Sequence, residues 1–166
     1  DNSCSLINVS TLTVATTFPI GTGPQDVCAT FNYPGVGRFA FITCLGGGSD
    51  DNGSVSLYWS RPNGLQANIT GFQNPKGCIF DYGVSAWIAN SGGNTASRLT
   101  LGFVGGGFAA TILPSITNVV TVGKNPNSIT VDPIGIALTG APLCLITADR
   151  GSSRVSFIDF AQPSRP

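Results

Sequence analysis

Three prolines, Pro24, Pro75 and Pro126, stand 51 positions apart, and their surroundings repeat with them. The first reads GTGPQDVCATF, the second GFQNPKGCIFDYG and the third VGKNPNSITVDPIG. A strand-like run follows each: residues 37–44 (GRFAFITC), 84–90 (VSAWIAN) and 142–148 (PLCLITA). Next come a turn rich in Gly, Ser, Asn and Asp and an alternating strand, at residues 53–59, 96–103 and 153–160. Further strands occupy residues 11–21, 65–72 and 116–123. The equal intervals hide unequal parts, because the second repeat has a shorter middle turn and a longer loop behind it. A chain built this way is an array of similar small units.

Four short strands per unit, at a period of about 50 residues, is the arithmetic of a β-propeller blade. The fold class expected is therefore all-β: a β-propeller-like array of three four-stranded antiparallel blades, completed by strand exchange between chains. The 166 residues form a single domain, with repeats near 11–60, 61–103 and 104–160. Alternation of Val55, Leu57 and Trp59 with Ser54, Ser56 and Tyr58 predicts one buried face per strand. Glycines in the turns 91–94 and 150–153 are expected to supply the positive φ of tight hairpins. A proline without a ladder donor belongs at a strand's start.

Composition removes most chemistry. The chain has no His, no Glu and no Met; its eight acids are all Asp, and only two of its eight bases are Lys. Without His there is no imidazole base, no His-containing catalytic triad and no His-ligated zinc. Charged residues make up 10% of the chain, against about a quarter in an ordinary domain, and the net charge is zero. Nucleic acid is therefore not an expected partner. No apolar run reaches the roughly 18 to 20 residues of a membrane-spanning helix. The first residue is Asp, which reads as the product of leader cleavage.

Five cysteines in so weakly charged a chain fit an oxidising compartment. Cys4, Cys28, Cys44, Cys78 and Cys144 contain no C-x-x-C, and allow two bridges with one thiol left over. Three Asn-X-Ser/Thr sequons, at Asn8, Asn52 and Asn68, are candidate glycan acceptors; Asn2 heads the rarer Cys form. The localisation expected is extracellular or cell-surface.

The repeats resemble the YVTN and NHL-type propeller families over residues 11–160. Gly123-Lys124-Asn125-Pro126, Trp87-Ile88-Ala89-Asn90 and Val155-Ser156-Phe157-Ile158-Asp159 carry the likeness. Gly21-Thr22-Gly23-Pro24 matches too, whereas Gly71 stands one residue further from Pro75. These motifs are structural, so the resemblance implies a fold and no activity. Virginiamycin B lyase-like members use His with a divalent metal; this chain has no His, and the lyase reading is rejected.

Other chemistry is thin. Asp50 and Asp51 beside Asn52 read as a hairpin turn, since Ca²⁺ asks for six to eight oxygens. Asp149 with Arg150, and Arg154 with Asp159, read as solvated strand-end charges. Gly46–Gly48 and Gly105–Gly107 precede neither Lys-Ser/Thr nor a helix, so they are not phosphate loops. Phe41 and Trp87 read as equivalent core positions. Trp59, near a strand end beside Arg61, is the aromatic singled out as a possible sugar contact. No catalytic, cofactor or metal residues are assigned. The function expected is a non-enzymatic, self-assembling extracellular subunit of a filament or other homo-oligomer, with other copies of itself as partners. The alternative is a carbohydrate- or protein-binding module. A spare N-terminal outer strand (Thr11, Thr13, Val14, Phe18) and an open edge at Val155, Phe157 and Ile158 are the expected assembly strands.

Overall fold

The computed structural model describes residues 1–30, 37–46, 52–60, 63–81, 84–104, 111–132 and 144–159, with the backbone alone for residues 63–66. Asp50, Asp51, Arg61, Gly47, Gly48, Gly105–Gly107 and Phe160 lie outside them. Thirteen strands and no helix occur among the described residues. A hairpin of β1 (Ser3–Asn8) and β2 (Thr13–Pro19) forms the first sheet. The second is a meander of β3 (Pro24–Ala29), β4 (Phe39–Cys44), β5 (Asn52–Ser60) and β6 (Asn63–Gln73). The third repeats it with β7 (Pro75–Phe80), β8 (Ser85–Asn90), β9 (Thr95–Val104) and β10 (Thr111–Thr121). The fourth holds β11 (Pro126–Val131), β12 (Cys144–Asp149) and β13 (Arg154–Asp159). All strand pairs are antiparallel. The all-β antiparallel class expected from the repeats is the one found.

The repeated proline opens each meander. Pro24, Pro75 and Pro126 face Cys44, Asn90 and Asp149 across the first strand pair. The residue before each proline is left-handed: Gly23, Asn74 and Asn125 have φ of 67°, 45° and 50°. Glycine and asparagine tolerate that region best. The turns at 9–12, 91–94 and 150–153 do not take their positive φ from glycine. Their left-handed residues are Leu12, Asn94 and Ser153, the last residue of each turn, while Gly93 and Gly151 serve close packing. A Cβ on Gly93 would lie 2.3 Å from the Gln73 side chain.

The sheets pack face to face in chain order, and three apolar clusters fill the gaps. Phe18, Ile42, Cys44 and Tyr58, with Cys4 and Leu6, join the hairpin to β3–β6. Phe41, Val55, Leu57 and Trp59 meet Phe80, Ile88, Leu99 and Leu101 between the two four-stranded sheets. Trp87, Ala89 and Ala96 meet Ile129, Val131 and Leu145 beyond them. The inner sheets therefore bury both faces, not the single face that alternation predicts. Ser54, Ser56 and Tyr58 are buried as thoroughly as Val55 and Leu57. The serine row reads as solvent-facing in sequence, but the preceding sheet covers it and hydrogen bonds satisfy it.

Two expectations for the N-terminus are corrected. Thr11 lies in the β1–β2 turn, and the strand at Thr13–Pro19 is not spare. It pairs with β1, and Phe18 stacks on Tyr58 at 5.0 Å. Ile158 is also unavailable for assembly: it points inward against the cluster of Trp87 and Leu145, because period two turns it away from Phe157.

Candidate functional site

Registering the strands on their prolines aligns the third strands as well. Ser54, Thr95 and Arg154 each face the last residue of the preceding strand. Ser56, Ser97 and Ser156 then share one position, and Tyr58, Leu99 and Ile158 another. The segment SCSLIN of β1 matches RVSFID of β13, so Ser5 joins the serine row and Ile7 the row of Ile158. The packing agrees. Cys4 and Leu6 press on the following sheet, as Val55 and Leu57 do. The hairpin is thus the third and fourth strands of a further unit. The sequence signal for β1 is a V-S-x-I-D-like pattern at Cys4–Asn8, weakened by Cys4 and Asn8 in place of Val and Asp.

The serine row fastens each unit. Asp149, 1% exposed, accepts from Ser156 Oγ, from Thr147 Oγ1 at 2.8 Å and from the Gly123 amide at 3.1 Å. It is a buried clasp, contrary to the solvated charge expected. In the second sheet the Gly21 amide donates to Ser56 Oγ at 2.9 Å, and Cys44 takes the place of Asp149. In the third, Asn90 Nδ2 donates to Ser97 at 2.7 Å, while Asn90 Oδ1 has no hydrogen-bond partner. The cause lies three residues before each proline. Gly21 and Gly123 approach closely there, whereas Phe72 occupies the matching place before Pro75.

The two ends of the stack gather exposed apolar side chains. Ile7, 62% exposed, and Val14 face each other across the hairpin, with Val9 and Leu12 at its turn. At the other end, Val155 is 55% and Phe157 69% exposed. They pair with Ala148 and Ile146 on β12, and Phe157 is the cross-strand neighbour of a residue matching Phe41 and Trp87. Of the expected assembly residues, Val14, Val155 and Phe157 are presented to solvent, while Phe18 and Ile158 pack inward.

Asn8, Asn52 and Asn68 are all exposed. Asn8 Oδ1 accepts from the Ser10 and Thr11 amides in the first turn. Asn52 and Asn68 line one open cavity of about 480 Å³ with Thr22 and Thr70. Trp59 is not a ligand contact. It is 2% exposed and stacks on Phe39 at 5.7 Å, because β5 buries both its faces.

The five thiols are unbridged. Cys28 and Cys78 meet in the gap between the four-stranded sheets, where interaction with Cys28 and then burial push the Cys78 thiol far above its ordinary value. Cys4 and Cys44 share the hairpin cluster, and burial raises both. Cys144 stands apart, half-buried on β12, its thiol also raised by burial.

A polar cavity of about 620 Å³ opens where the first strands begin, lined by Asn74, Lys76, Ser91, Asn125 and Arg150. Among the described residues, the one ion pair is Arg98 Nε to Asp81 Oδ2 at 2.6 Å, so neither Lys76 nor Arg150 faces a carboxylate partner.

No protein-family profile and no curated protein sequence matches the chain. Solved structures do. Hydrazine synthase from Kuenenia stuttgartiensis superposes with a TM-score of 0.66 at 14% identity, over 96% of this chain and 52% of its own. A functionally unknown protein from Desulfotomaculum acetoxidans gives a TM-score of 0.61 at 18% identity, over 92% of this chain and 46% of its own. The chain thus spans about half the length of these structures, and at such identity the likeness is one of fold alone.

Proposed function

We propose that this chain is a non-enzymatic extracellular structural protein that assembles with other copies of itself, its sheets being successive blades of a β-propeller-like array. One observation carries the reading: the exposed apolar residues Ile7 and Val14 at one end, and Val155 and Phe157 at the other, on the two outer faces of the stack. Patches of this kind mark association surfaces. The radial arrangement is supported by the first strands β3, β7 and β11, which lie side by side in consecutive sheets. The weakly charged sequence adds little repulsion between copies. Analytical ultracentrifugation with negative-stain electron microscopy tests the proposal, the expected result being concentration-dependent filaments or rings. A monomer at high concentration overturns it. Sugar on at least one of Asn8, Asn52 and Asn68 belongs to the same reading, and an intact mass of native protein equal to its sequence mass argues against it. A Cys28–Cys78 bridge, which peptide mapping without reductant reveals, belongs to the same reading as well.

A second reading rests on the cavity of Lys76 and Arg150. Two cations among amides and a hydroxyl suit an anionic carbohydrate, which makes the chain a binding module. Calorimetric titration with a sulfated oligosaccharide, repeated on Lys76→Gln with Arg150→Gln, separates the two: binding that needs both cations supports the module.

A further inference from the structure

We infer that the outer face of β11–β13 in one copy is covered by the β1–β2 hairpin of a second copy, head to tail, in the geometry the sheets already use within the chain. The inference rests on the self-assembly proposed above and names the surfaces that carry it. One position of the third strand faces the preceding sheet. Tyr58 packs there on the hairpin, Leu99 on β3–β6 and Ile158 on β7–β10. Ile7 is the fourth member of that row and is exposed. Two other positions face the following sheet. Cys4, Val55 and Ala96 are covered at the first, and Leu6 and Leu57 at the second, where β9 carries Arg98 paired with Asp81. Val155 and Phe157 occupy those same positions, uncovered.

Every internal interface therefore joins the row of Val155 and Phe157 on one sheet to the row of Ile7 on the next. The exposed faces of Ile7 and of Val155 with Phe157 are the two halves of that interface. The hairpin also has the right extent. It corresponds to third and fourth strands, and the most exposed apolar side chains of the opposite end stand on a third strand, β13. Its Ile7–Val14 pair is matched by Phe157–Ile146 and Val155–Ala148, with Asp159 opposite Cys144 at the margin of that face. Because the two surfaces differ, the contact is heterologous; it propagates or closes according to the rotation at each step.

Complementation tests this. Ile7→Lys spoils the hairpin face and Phe157→Asp the opposite one; both side chains are exposed, and far-UV circular dichroism verifies the fold. Each variant alone should stay monomeric in sedimentation velocity. Mixed in equal amounts they should form a dimer and nothing larger, since the one good face of each meets the other and both remaining faces are dead. Single variants that assemble like the unmodified chain overturn the stacking while leaving self-association standing. A mixture that stays monomeric overturns the pairing of these two faces. An unmodified chain that is itself monomeric overturns both this inference and the proposed function. The milder pair Ile7→Thr and Phe157→Ser, which should weaken each homotypic assembly and restore a dimer-rich mixture, gives the same reading should either charged variant misfold.

Discussion

The sheets β7–β10 and β11–β13 are copies of one pattern, yet they live in different surroundings. Ala96 is 0% exposed on the inner sheet, while Val155 at the same position of the last sheet is more than half exposed. Trp87 is buried where Ile146 is half open. Repetition thus sets which positions are apolar, and the neighbour on the next layer decides whether that apolar surface is stabilising.

The sharpest way to break the comparison is to remove the matching side chains. Trp87→Ala should cost about 3 to 5 kcal/mol in denaturant unfolding, the usual range for a large buried aromatic. Phe157→Ala on the open face should change the stability of the monomer by no more than about 0.5 kcal/mol. Equal losses at the two sites show that β11–β13 is already covered.

Next come the clasps. Asp149→Ala takes the carboxylate partner from Ser156 and Thr147 in a buried corner and one of two acceptors from the Gly123 amide, and should cost about 2 to 3 kcal/mol. Asn90→Ala removes a side chain whose oxygen is already unpaired, and about 1 kcal/mol is expected. Thermal melts of the two variants give the order directly. An Asn90 variant as damaging as the Asp149 variant shows that the orphaned oxygen has no energetic consequence.

The thiols extend the comparison to pH. In the reduced protein Cys4, Cys44, Cys78 and Cys144 all have pKa values raised above the ordinary 9.0. A raised folded value means that the folded state favours the neutral thiol. The contribution is complete below about pH 9 and is lost as pH climbs through the raised values. Urea midpoints should therefore fall between pH 8.5 and roughly 10.5, and replacing Cys44 and Cys78 by Ala should flatten that fall. At pH 8, iodoacetamide should reach half-buried Cys144 well before Cys44 or Cys78.

The smallest effect concerns the first turn. Leu12 holds φ of 54°, where Asn94 stands in the inner sheet's turn with almost the same angle. A leucine is costly there, by about 1 kcal/mol. Leu12→Gly should raise the melting temperature slightly, and Asn94→Leu should lower it.

Much of this architecture is written in the spacing of Pro24, Pro75 and Pro126. Those residues mark real strand starts, and the runs that follow them are real strands. Other features depend on contacts that spacing does not carry. Trp59 near a strand end looks accessible until a second sheet covers it. Asp149 looks solvated because a sequence shows the charge but not the glycine amide three residues before Pro126. Ser56 and Ser97 look like an outer face because hydroxyls that are satisfied in the interior read the same as hydroxyls in water. The end faces were not legible: the sequence points to an open edge at Val155–Ile158, whereas Val155 and Phe157 are exposed on a sheet face, and Ile7 becomes their counterpart only through the pairing of β1 with β2.

Among the described residues each apolar cluster joins sheets adjacent in chain order, so the sheets behave as a linear chain of coupled units, whose stability is a sum of layer terms and junction terms. Opening one end costs one junction, while opening the middle costs two. Amide protons in the hairpin and in β11–β13 should exchange with solvent soonest, and those of β8 last, so that the molecule frays inward from its two ends before it melts. Joining copies end to end replaces each frayed end by another junction, and the slowest exchange then spreads along the whole array.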